Sequence, residues 1–148
     1  CIPLSAYRDL SCFKVYFNDV GLLRGMSRLS AGAYSDGLRF FEEFKGAMAE
    51  NYVLQSLRNQ SFSEIAYWTN TNYEVDFTVQ TDDGKVIPIE VKSGKSVSSV
   101  SLKHYLQEYE DRTPVAVRFS MKNLSLDGHI LNVPLFMADE LCRFLKRF

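Results

Sequence analysis

Asp76, Glu90 and Lys92 are residues whose types and spacing could do chemistry together. They sit in Glu74-Val75-Asp76-Phe77 and Ile89-Glu90-Val91-Lys92, on either side of TVQTDDGKVIP. Asp82-Asp83-Gly84 between apolar alternations is a hairpin signal. A three-residue loop with Gly84 in the left-handed region pairs Thr81 with Lys85. Counting back, Val79 opposes Ile87, Phe77 opposes Ile89, and Asp76 opposes Glu90. Directly opposed residues have Cβ atoms about 4.5–5.5 Å apart, and like charges there repel. Two carboxylates at that spacing in an apolar strand pair need a proton or a cation between them. Such oxygen ligands suit Mg²⁺ or Mn²⁺. Lys92 falls on the strand face of Glu90, and a metal held beside an ammonium can activate water against a phosphodiester. The same count opposes Glu74 to Lys92, an ordinary cross-strand ion pair. A two-residue turn would shift the register by one and separate Asp76 from Glu90. The hairpin alone leaves these readings open.

The elements around the hairpin must position it. A helix capped by Ser35 or Asp36 and running to about Asn59 carries apolar Phe41, Phe44, Ala47, Met48, Val53, Leu54 and Leu57. Glu50 shares the face of Val53, Leu54 and Leu57. A carboxylate facing a core is costly unless paired or bound to a cation; at the stripe's border it would simply reach water. Upstream, residues 13–17 alternate as a short strand, 20–29 form a short helix and 30–37 a loop. Residues 64–68 form a strand ending in the Asn70-Thr71-Asn72 turn, with Trp68 read as core in preference to a nucleotide-flanking ring. Pro88 cannot donate to a ladder, so a bulge or an unpaired flank is expected near it. Residues 97–101 are a loop. Residues 102–110 form a helix with Leu102, Tyr105, Leu106 and Tyr109 on one stripe and with Lys103 and His104 solvated. Residues 114–119 and 130–136 are strands, the second an edge because of Pro134. Residues 138–148 form a final helix whose Arg143, Lys146 and Arg147 complement its dipole.

Asp76 followed by Glu90-Val91-Lys92 resembles the PD-(D/E)XK nuclease superfamily. FKVYFNDVGLL, the Gly46-Ala47-Met48-Ala49-Glu50-Asn51-Tyr52-Val53 run, YEVDF and PIEVKSGK resemble one branch of it, the C-terminal domain of unknown function found behind an AAA-type ATP-binding domain in prokaryotic ATPases. The resemblance covers the chain from about Phe13 onward. It implies a restriction-endonuclease-like fold and a nuclease-like domain acting on DNA with Mg²⁺ or Mn²⁺. Asp76 and Glu90 would hold the metal with the Val91 carbonyl, Lys92 would stabilise the attacking hydroxide and the phosphorane charge, and Glu50 would complete the active site. The branch often carries Arg just after the Trp; here Thr69 stands in its place, so a phosphate contact there is not expected. It equally allows a non-catalytic DNA- or protein-binding module that regulates the ATPase.

The element order gives the α/β class, with a mixed central sheet flanked by helices. The chain has 148 residues, enough for one domain; residues 1–12 read as the tail of an upstream connection and 13–148 as the nuclease-like domain. It opens on Cys rather than Met and is read as a fragment, with the ATP-binding domain of the same protein as its expected partner. Hydrophobic residues at 46% and aromatics at 14% exclude a disordered chain. The net charge is −1, with 17 Lys and Arg against 18 Asp and Glu, so DNA binding by this chain alone should be weak and local. Lys95 and Lys103 are the local candidates besides Lys92. Gly94-Lys95-Ser96 imitates the end of a P-loop, but Ile89 stands where the upstream Gly is needed, which excludes that mode of ATP binding. Three dispersed cysteines make neither a zinc motif nor a disulfide framework. No segment reads as a membrane span or signal, and a reducing cytoplasm is the expected compartment.

Overall fold

The hairpin adopts the turn its glycine dictates. In a computed structural model of the chain, which describes residues 3–28, 39–94 and 98–148 (residues 39–43 as backbone), Gly84 has φ 82°. Its N–H donates to the Thr81 carbonyl at 2.9 Å, and the Thr81 N–H donates to the Lys85 carbonyl at 3.0 Å. The strands β2 (Glu74–Gln80) and β3 (Val86–Val91) then pair antiparallel, with Val79 opposite Ile87 and Phe77 opposite Ile89, as the loop length predicts.

Four more strands complete a six-stranded mixed sheet: β1 (Glu64–Thr69), β4 (Ala116–Ser120), β5 (Ser125–Asp127) and β6 (Ile130–Pro134), in the order β1-β2-β3-β4-β6-β5. β3, β4 and β6 run parallel; the outer pairings are antiparallel. The parallel strands are buried at every position, as strands covered on both faces must be. One face carries Phe77, Val79, Ile87, Ile89, Val117, Phe119 and Val133 against Val53 and Leu57 of the long helix α2 (Arg39–Arg58) and against Ala138 and Leu141 of the C-terminal segment. The other carries Val75, Val86, Ala116 and Ile130 against Leu102 and Tyr105 of α3 (Val100–Glu108), with Trp68 packed against them. The chain is thus a mixed α/β structure with helices on both faces of its sheet.

Several sequence expectations are corrected. Residues 13–17 form no strand and join no sheet. The alternation is real, but it divides exposed Phe13, Val15 and Phe17 from Lys14 and Tyr16, which face the body. The short helix α1 ends at Met26. β6 is not an edge: the three-residue β5 covers it, and Pro134, its last residue, ends the strand. The expected final helix is a 3-10 turn, Leu135–Glu140, followed by α4 (Leu141–Leu145), with a break at Met137. Pro88 lies inside β3 without a bulge of its own. Counting in twos from the Thr81–Lys85 hydrogen bond turns its missing donor toward β4, whose pairing starts one residue later, at Ile89 with Val117. The loop 30–37, the Ser35 or Asp36 cap and Lys95 lie outside the described residues. None of the described helices is long and apolar enough to cross a membrane.

Candidate functional site

A bulge in β2 sets the place of Asp76. β1 and β2 pair at Ala66 with Thr78 and next at Trp68 with Val75, so Tyr67 alone opposes Asp76 and Phe77. The irregularity explains why Val75 packs on the α3 face while Phe77, two residues on, packs on the α2 face. The pairing of β2 with β3 closes at Phe77 and Ile89. The N–H of Val91, which a continued ladder would direct to the β2 backbone, donates instead to Asp76 Oδ2 at 2.7 Å. Burial pushes the Asp76 carboxyl up to about 6, and Glu50 pushes the same way; the Val91 N–H, Lys14 and Lys92 oppose them.

Glu50 enters from α2. Its carboxylate accepts a hydrogen bond from the Tyr16 hydroxyl at 3.2 Å, and the Tyr16 ring lies against Phe77 at 5.7 Å between centroids. Burial and the two carboxylates Glu50 and Asp76 raise the phenol well above its ordinary range. The strap that carries Tyr16 is clamped one residue on. Buried Asn51 accepts the Phe17 N–H at 2.8 Å and donates to the Phe17 carbonyl at 3.1 Å. Its side-chain amide stands in for a neighbouring strand. Lys14, on the same side of the strap as Tyr16, pairs with Glu74 and lies over the Tyr67 ring at 5.2 Å.

Glu90 is 5% exposed on fully buried β3. One carboxylate oxygen accepts from Lys92 Nζ at 2.8 Å; the other, Oε2, has no hydrogen-bond partner. A buried acceptor of this kind costs about 1–3 kcal/mol or more. Glu90 and Lys92 line an open cleft of about 330 Å³ with Ser98, Val100 and Ser101, at the start of α3. Opposite Glu90 in the parallel register stands buried Arg118, whose Nε donates to Asn132 Oδ1 at 3.1 Å and whose Nη1 donates to Ser99 Oγ at 2.9 Å.

The fold therefore joins Glu50, Asp76, Tyr16, Lys14 and Lys92 electrostatically, and joins Glu90 to them through Lys92. Among the described residues no group of three or more acidic, His or Cys side chains is assembled for a metal ion. The cross-strand pair expected of Glu74 and Lys92 does not form: Glu74 pairs with Lys14 and Lys92 with Glu90. Lys103 is exposed on α3, and Lys95 lies outside the described residues. Sequence reasoning passed over Lys14, Tyr16, Asn51 and Arg118. The signals were a polar side to the 13–17 alternation, a second polar residue beside Glu50, and one Arg within an apolar strand. The donor set still fits a hard divalent cation in its chemistry: oxygen ligands only, one carboxyl with raised proton affinity and one buried carboxylate oxygen without a partner.

Residues 45–136 match the family model described as a domain of unknown function, DUF4143. No curated protein and no solved structure shows a significant match to the chain.

Proposed function

We propose, from the premise that the chain belongs to the DUF4143 family, that it is a Mg²⁺-dependent nuclease-like domain acting on DNA, joined in its protein to an ATP-binding domain. The observation that carries this reading is buried Glu90, with one oxygen on Lys92 and the other unpartnered, one strand away from the proton-avid Asp76. The proposal takes one cation to lie between the two carboxylates and offset both charges. Asp76 and Glu90 would hold the ion, Mg²⁺ or Mn²⁺, which when bound stabilises charge on phosphoryl oxygens and acidifies water. Glu90 holds the Lys92 ammonium at the cleft, where it stabilises the charge that develops on a phosphoryl oxygen. Glu50, held by Tyr16, orients water beside Asp76. Lys95 and Lys103 contribute contacts to the DNA backbone.

The test is plasmid nicking in Mg²⁺ by the wild type, Asp76→Ala and Lys92→Ala. Cleavage that needs the cation and fails in both variants is expected; cleavage by Asp76→Ala equal to wild type would sink the assignment. A second reading, a non-catalytic regulatory module, is favoured by the apolar residues Phe13, Val15, Leu22 and Met26, each more than half exposed along the strap and α1. A wild type that never nicks, with a partner retained through that row and lost in Val15→Lys, would establish it instead.

A further inference from the structure

His104 is not the solvated side chain that its place off the apolar stripe of α3 predicts. Its ring stacks on Tyr73 at 4.3 Å between centroids and lies 6.2 Å from the Trp68 ring. Its Nε2 lies 3.3 Å from Asn70 Nδ2. Asn70 follows β1 and opens the turn into β2. The Asn70 N–H donates to the Tyr73 carbonyl at 2.9 Å. Asn70 Oδ1 accepts the N–H groups of Asn72 at 3.0 Å and Tyr73 at 2.9 Å. Two donors on one oxygen fix which way the amide points, so the group that faces the imidazole is the NH₂. An NH₂ can only donate. His104 Nε2 must therefore accept, which makes the ring neutral with its proton on Nδ1.

The other polar group at this nitrogen is of the opposite kind. Glu108 Oε2, one helical turn on, lies 3.5 Å from the same Nε2, and a carboxylate can only accept. It gains nothing from a bare Nε2 and pairs with a protonated one. One nitrogen thus stands between a donor and an acceptor, and its proton chooses between them. Around the ring, α3 contributes Glu108 and exposed Lys103, β1 contributes Trp68, and the turn contributes Asn70 and the Tyr73 phenol. Among the described residues, Glu108 is the one charge within ion-pair distance of the ring.

We propose that His104 is a proton-operated latch between the β1–β2 turn and α3. Neutral, it accepts from Asn70 and holds the turn; protonated at Nε2, it releases Asn70 and pairs with Glu108. The turn leads straight into β2, so acidification loosens the entry to the strand that carries Asp76. The latch is independent of the nuclease reading and stands or falls without it.

The experiment is NMR of the ¹⁵N-labelled full chain at about pH 8 and about pH 5, the range over which histidine changes charge. At the higher pH the His104 ring should carry its proton on Nδ1, its signals being assigned by their loss in His104→Gln. At the lower pH, protection from exchange at the Asn72 and Tyr73 amides should fall about threefold or more, because the side chain that holds them loses one hydrogen bond. His104→Gln should show no such fall. Asn70→Asp should reverse it: one oxygen keeps the turn bonds, and the other becomes an acceptor for the protonated ring. Protection should then rise about threefold on acidification, since the new carboxylate stays ionised over that range. A proton on Nε2 at the higher pH, wild-type protection indifferent to pH, or a fall that persists in His104→Gln or Asn70→Asp overturns the proposal.

Discussion

Asp76 is kept at a cost to the fold. Its carboxyl is pushed up to about 6 from 3.8, first by burial, so the folded state binds this proton more tightly than the unfolded state. Below about pH 4 both states are protonated and the cost is absent; it grows as pH rises and is complete above about pH 6, where it amounts to about 3 kcal/mol. Asp76→Asn should therefore raise metal-free stability at pH 7–8 by up to about 3 kcal/mol and have little effect near pH 4, as read by urea denaturation at both pH values. On the proposed function, Mg²⁺ or Mn²⁺ should stabilise the wild type, and the same substitution should abolish that stabilisation. Lys92 carries a different load. It is the partner of a carboxylate that is almost wholly buried, and its own side chain is about one-third exposed. Lys92→Met should cost about 1–3 kcal/mol at neutral pH, more than a surface pair would. A loss under about 0.5 kcal/mol would show that Glu90 finds another partner.

Among the elements, the hairpin was legible from the sequence because its register is set locally. Gly84 at φ 82° fixes the loop, and every pair up to Phe77 and Ile89 follows by counting. Gly84→Ala should cost about 1–2 kcal/mol, measured by thermal denaturation. The place of Asp76 was not legible. The bulge is defined by which β1 residues β2 meets, and Tyr67 against Asp76 and Phe77 is a nonlocal outcome. The partner of Glu50 was hidden for a related reason: Tyr16 lies 34 residues away in sequence. The 13–17 alternation told which side chains turn inward but not whether the backbone finds a strand. Its pairing partner is one side chain, Asn51, so Asn51→Ala should cost about 1–3 kcal/mol and loosen the strap, measured by denaturation and limited proteolysis.

For the whole molecule, charge balance and the local site pull in different directions. A net charge of −1 gives no general attraction to DNA, so any affinity must come from few contacts. On the proposed function, the chain alone should bind DNA weakly and with a shallow salt dependence, and attachment to the proposed ATP-binding domain should supply the rest. Titration of duplex DNA at several salt concentrations checks this; tight, salt-steep binding by the chain alone would contradict it. Divalent ions at about a hundredfold excess over their dissociation constant should stabilise the fold by about 2.7 kcal/mol. That stabilisation should fade as pH falls through about 6, because an ion held by Asp76, as proposed above, would compete there with the proton.

The clamp on the strap also has a clock. The Phe17 amide proton is held by Asn51 Oδ1 at 2.8 Å, on a residue that is itself 38% exposed. It can exchange with solvent deuterium only when the Asn51 amide lets go, and letting go releases the segment that brings Tyr16 to Glu50. The exchange rate at this one amide thus counts the openings of the site's cover.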